Sequence, residues 1–141
     1  MAIITRPFKK ESEKQIQYYS DLTTGFNIHP NRKDLSLFIN EDAVKSSIRN
    51  ILKTSRGERL FNPLYGCGLN NYLFEDISLF TQEQIRSEIL SSIKEFEPRA
   101  NVLDVVVTPY VDENAYVISI VFTTINIQTP ITLELLVSRI R

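Results

Sequence analysis

The chain has 141 residues, 43% hydrophobic and 23% charged, which fits one globular domain burying roughly two-thirds of its unfolded surface. Its 16 basic and 17 acidic residues give a formal net charge of -1, so no global field draws in nucleic acid or an anionic membrane. One cysteine excludes a disulfide framework and a cysteine-based zinc site. No apolar run approaches the ~20 residues of a membrane span, and the N-terminus lacks a signal-peptide core, so a cytoplasm-like compartment is expected.

Residues 1–19 read as an N-terminal arm. Ile3, Ile4 and Phe8 precede the charge run Lys9, Lys10, Glu11, Ser12, Glu13, Lys14, which has no core of its own. It is either a solvated tail or a segment that orders against a partner, and Tyr18 and Tyr19 follow at once. Residues 20–141 read as a single domain. Ser20 to Lys33 is turn-rich, with Gly25 and His29-Pro30-Asn31. His29 is the only histidine and lacks the partners that a metal site or a Ser-His relay needs, so it reads as a surface residue. Leu35, Leu37 and Ile39 alternate with Ser36 and Phe38, as in a short strand.

Asn40 is a good N-cap, with Glu41 and Asp42 where a helix dipole favours acids. Val44, Ile48, Ile51 and Leu52 then make an apolar stripe at helical spacing, and the helix is expected to end near Ser55. Gly57 to Phe74 follows, holding three of the four glycines (Gly57, Gly66 and Gly68), Pro63 and Cys67. Such a stretch cannot be a long helix or a central strand. It also carries Leu60, Phe61, Leu64, Tyr65, Leu69, Tyr72, Leu73 and Phe74, too apolar for a flexible linker. The reading is a packed, tightly turned joint in which glycine supplies unusual backbone angles and Cys67 is a small buried residue. A turn of helix is expected over Tyr72 to Asp76.

Thr81 with Gln84 matches a capping box, and Ile85, Ile89, Ile93 and Phe96 continue on one face. Pro98 should stop this helix at Glu97. From Val102 the period changes. Val102 to Tyr110 reads as a strand, Asp112-Glu113-Asn114 as a turn, and Ala115 to Ile127 as a second strand with Tyr116, Ile118, Ile120, Phe122 and Thr124 on one face. Pro130 should break the pattern before Ile131, Leu133, Leu135 and Val137, which alternate with Thr132, Glu134 and Leu136. Helices first and strands last indicate an α+β fold, with two main helices packed on a small C-terminal antiparallel sheet.

The chemistry of catalysis is hard to find. A glycosidase needs two carboxyl groups, one held protonated, and the candidates are Glu58, Glu75, Asp76 and Glu97. Glu58 lies between Arg56 and Arg59, which favour its ionised form, and Glu75-Asp76 read as a cap on the following turn. There is no phosphate-cradling loop and no Gly-x-Ser-x-Gly elbow. No cofactor and no metal is expected. Two features read better as contact points. Glu97-Pro98-Arg99 sets a carboxylate and a planar donor fork at a rigid helix end; the alternative is a helix stop with two solvated charges. The last strand, carrying Ile131, Leu133, Leu135 and Val137, is placed to be a sheet edge open to a partner strand.

Asn40 to Leu52, Leu52-Lys53-Thr54, Gly57-Glu58-Arg59, Phe61-Asn62-Pro63, Tyr65-Gly66-Cys67, Leu73-Phe74-Glu75 and Glu97-Pro98-Arg99 together resemble the small baseplate wedge proteins of contractile-tailed phages, a family shared with type VI secretion baseplates. The likeness runs from about Ser20 to the C-terminus and leaves the arm uncovered. It implies a non-enzymatic building block of a virion tail or equivalent injection-machine baseplate, assembled in the bacterial cytoplasm. The resemblance assigns Glu97, Pro98 and Arg99 to contact with larger wedge subunits. It assigns the C-terminal strands to docking of the tail sheath protein, with the tail tube or hub proteins as further neighbours. The family has also carried a lysozyme label, so a peptidoglycan-degrading glycosidase is the alternative.

Overall fold

In the computed structural model, residues 16, 18–31, 33–110 and 115–138 are described. Two short strands, β1 (Ser20–Leu22) and β2 (Leu37–Ile39), pair antiparallel and lead into helix α1 (Glu41–Lys53). The one-turn helix α2 (Leu69–Tyr72) and the long α3 (Leu79–Phe96) follow. The chain closes with strands β3 (Ala100–Tyr110), β4 (Ala115–Thr124) and β5 (Ile127–Ser138), an antiparallel sheet in the order β3-β4-β5. The fold is α+β, with helices against one face of the C-terminal sheet.

Apolar periodicity explains this arrangement. Val44, Ile48, Ile51 and Leu52 are buried on α1, and Ile85, Ile89 and Ile93 on α3, as the helical spacing requires. Along β4 the residues Tyr116, Ile118, Ile120, Phe122 and Thr124 all face inward, at most 3% exposed. From β5 the side chains of Ile131, Leu133 and Leu135 complete the same core. Each such side chain contributes roughly 1.5–3 kcal/mol by leaving water. Neither the helices nor a three-stranded sheet would persist alone, so mutual burial holds the domain together.

The element boundaries depart from sequence expectation at several points. Strand β1 lies in a stretch that reads as turns, because its pairing with β2 is set by tertiary context. Helix α3 begins three residues earlier than the Thr81 capping box suggests. Ser78 is the N-cap, its hydroxyl accepts from the Thr81 N–H at 3.1 Å, and the Thr81 hydroxyl donates to the Asp76 carbonyl. The short helix expected over Tyr72 to Asp76 sits instead at Leu69–Tyr72. Strand β3 starts at Ala100 rather than Val102, and β4 ends at Thr124, where Ile125 and Asn126 turn the chain. Pro130 does not interrupt the last strand. It lies inside β5, tolerable because β5 has one neighbour among the described strands and the ladder is irregular beside Phe122 and Thr124. Asp112-Glu113-Asn114 and most of the arm lie outside the described residues.

Between α1 and α2 the joint folds back on the end of α1. The Thr54 carbonyl accepts the Cys67 N–H at 2.9 Å, and Gly57 N–H donates to the Pro63 carbonyl at 2.8 Å. Gly57 and Gly66 have φ of 86° and 115°, left-handed angles that suit glycine. At Gly66 a Cβ would stand 2.4 Å from the Thr54 carbonyl oxygen, whereas at Gly57 the space is open. Gly68 differs: its φ is -81°, so it supplies no unusual angle. Gly66→Ala is therefore expected to lower stability by about 3 kcal/mol or more, and Gly57→Ala by about 1 kcal/mol. Urea denaturation of both variants checks the order, and equal losses would remove the steric argument at Gly66.

Candidate interaction sites at the helix end and the sheet edge

Helix α3 stops because Pro98 disfavours helical geometry in the residue before it. Glu97 leaves the helix at φ -130°, ψ 73°, with its N–H still donating to the Ile93 carbonyl at 2.8 Å. This turn carries the Glu97 side chain inward, where it is only 2% exposed. A buried carboxylate needs a partner, and Arg99 supplies both halves of one: Nε donates to Oε1 at 2.5 Å and a terminal nitrogen to Oε2 at 2.7 Å. Two solvated charges are therefore not what the helix end presents. Burial works to raise the Glu97 pKa, but hydrogen bonds from Arg99 and Ser47 and the Arg99 charge outweigh it and hold the carboxyl below the usual range. The same hydrogen bond raises the Arg99 pKa.

Further contacts make this helix end a crossing point of the fold. The Arg99 guanidinium lies 5.3 Å from the Tyr19 ring centroid, and the Arg99 carbonyl accepts the Ile125 N–H from the β4–β5 turn at 3.2 Å. The Tyr19 hydroxyl in turn accepts from Asn126 Nδ2 at 2.7 Å. Tyr19 precedes β1, so the pair links the start of the domain to the β4–β5 turn. Sequence spacing offers no signal for Tyr19 to Asn126, 107 residues apart. Asn40 also has a role that its place in the sequence does not signal. It stands at the N-cap position of α1, but its side chain makes no capping bond. Its Oδ1 accepts from the Tyr18 and Tyr19 N–H groups and its Nδ2 donates to the Ile16 carbonyl.

The second candidate is β5, which pairs only with β4 among the described strands and so forms an edge of the sheet. Ile131, Leu133 and Leu135 point into the core and Val137 packs at its margin. Ile131, Leu133 and Leu135 are buried and Val137 half-buried, so what the strand chiefly offers a partner is its backbone, together with the outward side chains of Thr132, Glu134 and Leu136. The opposite edge, β3, is less open. Its ladder shifts register between Val102 and Asp104, Arg86 pairs with Asp104 at 3.3 Å, and Pro109 removes a donor.

The carboxyl groups considered for glycoside cleavage are arranged otherwise. Glu97 is held ionised by Arg99, the reverse of what a general acid requires. Glu58 accepts from the Ser55 N–H at 2.9 Å. The arginines beside it turn elsewhere, Arg56 to Glu88 at 2.7 Å and Arg59 to the face of Tyr65 at 4.0 Å. Glu75 and Asp76 are exposed. Cys67 is 1% exposed and burial pushes its thiol pKa up, which makes it a packing residue and not a reactive one.

Because the folded Glu97 pKa is depressed, its stabilising contribution is present above the unfolded value of about 4.5 and is lost as pH falls through the folded pKa. Glu97→Gln should flatten this acid limb in denaturation measured as a function of pH, and an unchanged limb would remove Glu97 from acid stability. Arg99→Ala leaves the Glu97 carboxylate buried without its fork. A loss of about 2–4 kcal/mol is expected by urea denaturation, less than for a fully buried pair because Arg99 keeps 33% exposure.

The sequence matches the family described as Baseplate wedge protein gp25 over residues 40–128. The baseplate wedge protein gp25 of Enterobacteria phage T4 is 32% identical over 108 residues, covering 77% of this chain and 81% of that protein. A crystal structure from Geobacter sulfurreducens, of a protein provisionally called a tail lysozyme, is similar with a TM-score of 0.67 at 30% identity, over 72% of this chain and 92% of that one. A chain in the baseplate of the anti-feeding prophage shares the fold, with a TM-score of 0.61 at 24% identity over 87% of each chain. The match thus takes in α1, the glycine joint, α3 and the Glu97–Arg99 helix end together, and the chain belongs to the baseplate wedge protein gp25 family.

Proposed function

We propose that this chain is a structural component of the baseplate wedge of a contractile tail or injection machine, and not an enzyme. The observation that carries the reading is the family match, which spans α1 to the first residues of β5 and includes the buried helix end. In this proposal Glu97, Pro98 and Arg99 form the contact with larger wedge subunits. The Arg99 fork is already engaged by Glu97, so at an interface it holds the helix end in shape and is not a free donor for another chain's carboxylate. Residues 131–137 act at a different place: the β5 backbone edge receives a strand of the tail sheath protein and starts its first ring. Gly57, Pro63, Gly66 and Gly68 keep the joint folded, and the residues before Tyr18 serve as an arm outside the wedge domain, since Tyr18 and Tyr19 are bonded into it.

Two experiments test these contacts. Co-expressed with the larger wedge proteins of its own gene neighbourhood, the chain should co-elute with them on size exclusion, and Arg99→Ala should co-elute less. Failure to associate, joined with peptidoglycan turnover that depends on Glu58 or Glu75, would establish the lysozyme reading instead. Leu136→Lys places a charge beside the β5 edge without touching the core. Baseplates carrying it should nucleate sheath poorly, and normal sheath polymerisation on them would sink the strand-docking role.

A further inference from the structure

The loop between α1 and α2 presents large apolar side chains to water for which no packing role exists in the fold. Leu60 is 90% exposed, Phe61 100% and Leu64 70%, three of the most exposed apolar residues among those described. An exposed leucine alone needs no explanation, but three within five residues form a projecting apolar knob. Its backbone is closed on itself. Gly57 N–H bonds the Pro63 carbonyl, Asn62 N–H the Arg59 carbonyl and Tyr65 N–H the Asn62 carbonyl, and the Glu58 carboxylate caps the Ser55 N–H. A knob held this way loses little conformational freedom on binding.

The base of the loop is fastened to the helix end already described. Arg59 covers the Tyr65 ring at 4.0 Å, and Tyr65 packs on Phe96 with ring centroids 5.2 Å apart, next to Glu97 in the chain. Since Arg99 is neutralised inside the chain, the helix end itself offers little unspent polar attraction, and affinity there must come from apolar burial nearby. Near the knob in the chain stand Lys53, Arg56 and Arg59 against Glu58, and although Arg56 is paired with Glu88, the balance stays at one excess positive charge.

We infer that Leu60, Phe61 and Leu64 form the principal anchor of this chain on the larger wedge subunits, seated in a concave apolar surface rimmed by carboxylates. The inference rests on the wedge reading above and names where its binding energy resides. A second copy of the chain is the competing occupant, since a two-fold contact would seat each knob off the axis on the other copy.

The test uses the full chain and the co-expressed larger wedge subunits, with affinity measured for wild type, Phe61→Ser and the double variant Leu60→Ser/Phe61→Ser. Because both side chains are outside the core, each variant should melt as wild type does, while affinity falls about 30-fold or more, the scale of an interface hot spot. Wild-type affinity should also fall as salt is raised. Unchanged affinity in the double variant overturns the anchor while leaving wedge membership intact; no association by wild type overturns the wedge reading itself. Affinity that rises with salt overturns the acidic rim. Self-association of wild type alone, abolished by Phe61→Ser, overturns the proposed partner and makes a second copy the occupant.

Discussion

A carboxylate taken out of water at the end of a helix must be repaid locally, and the geometry around Glu97 follows from that need. Proline stops the helix, the altered backbone turns Glu97 inward, and two residues later the chain brings an arginine whose planar fork matches both oxygens. Lysine could neutralise the charge at this place but could not satisfy both lone-pair directions from one rigid plane. Once fixed, the guanidinium provides a surface on which Tyr19 rests, and the Arg99 carbonyl anchors the turn between β4 and β5. Three parts of the chain that no local propensity would bring together thereby share one small polar cluster. Its members are unequal: removing Arg99 leaves Glu97 buried without its fork, whereas Arg99 and Tyr19 are partly open to water.

This cluster separates two tasks that a contact motif is often assumed to combine. The charged pair specifies shape, and it does so largely within the chain. In the reading proposed above, attraction for another protein falls to the exposed apolar side chains of the loop and to the open backbone of β5. Such a division lets an assembly protein fold before its partners arrive while keeping its binding groups in place.

The sequence was most informative where one physical term dominates. Helical stripes at Val44–Leu52 and Ile85–Ile93 and the inward face of β4 follow from burial alone, and they were legible. So was the halt at Glu97, since Pro98 acts through local sterics. The failures have equally specific causes. Ser78 and Thr81 are both competent caps, and only packing of Thr81 against the core selects the earlier one. Asn40 occupies the expected position, yet its side chain serves the backbone of Tyr18 and Tyr19, a bond that helix propensity cannot foresee. Strand β1 is three residues long and exists only because β2 lies beside it. At the candidate site, Glu97-Pro98-Arg99 stood out as a triplet, but the direction of its side chains did not: pairing within the chain and pairing with a neighbour look alike in sequence. For β5 the alternation identified which residues share a face without saying that this face is the core.

The unequal edges of the C-terminal sheet bear on how strand pairing can spread. A sheet open along both sides can add copies of itself without limit, which is the route to fibres. Here β3 carries a register shift, the Arg86–Asp104 pair and Pro109, while in β5 (Ile127–Ser138) the proline and the ladder irregularity are confined to the first residues and Ile131 onward holds a single charged residue, Glu134. Two copies meeting through β5 would close on each other and stop. In the strand docking proposed above, a longer array is therefore continued by a different polypeptide, with this chain at its end. If a sheath strand docks on β5 as proposed, the sheet acts as a terminus that sets where such a lattice begins and the direction in which it extends.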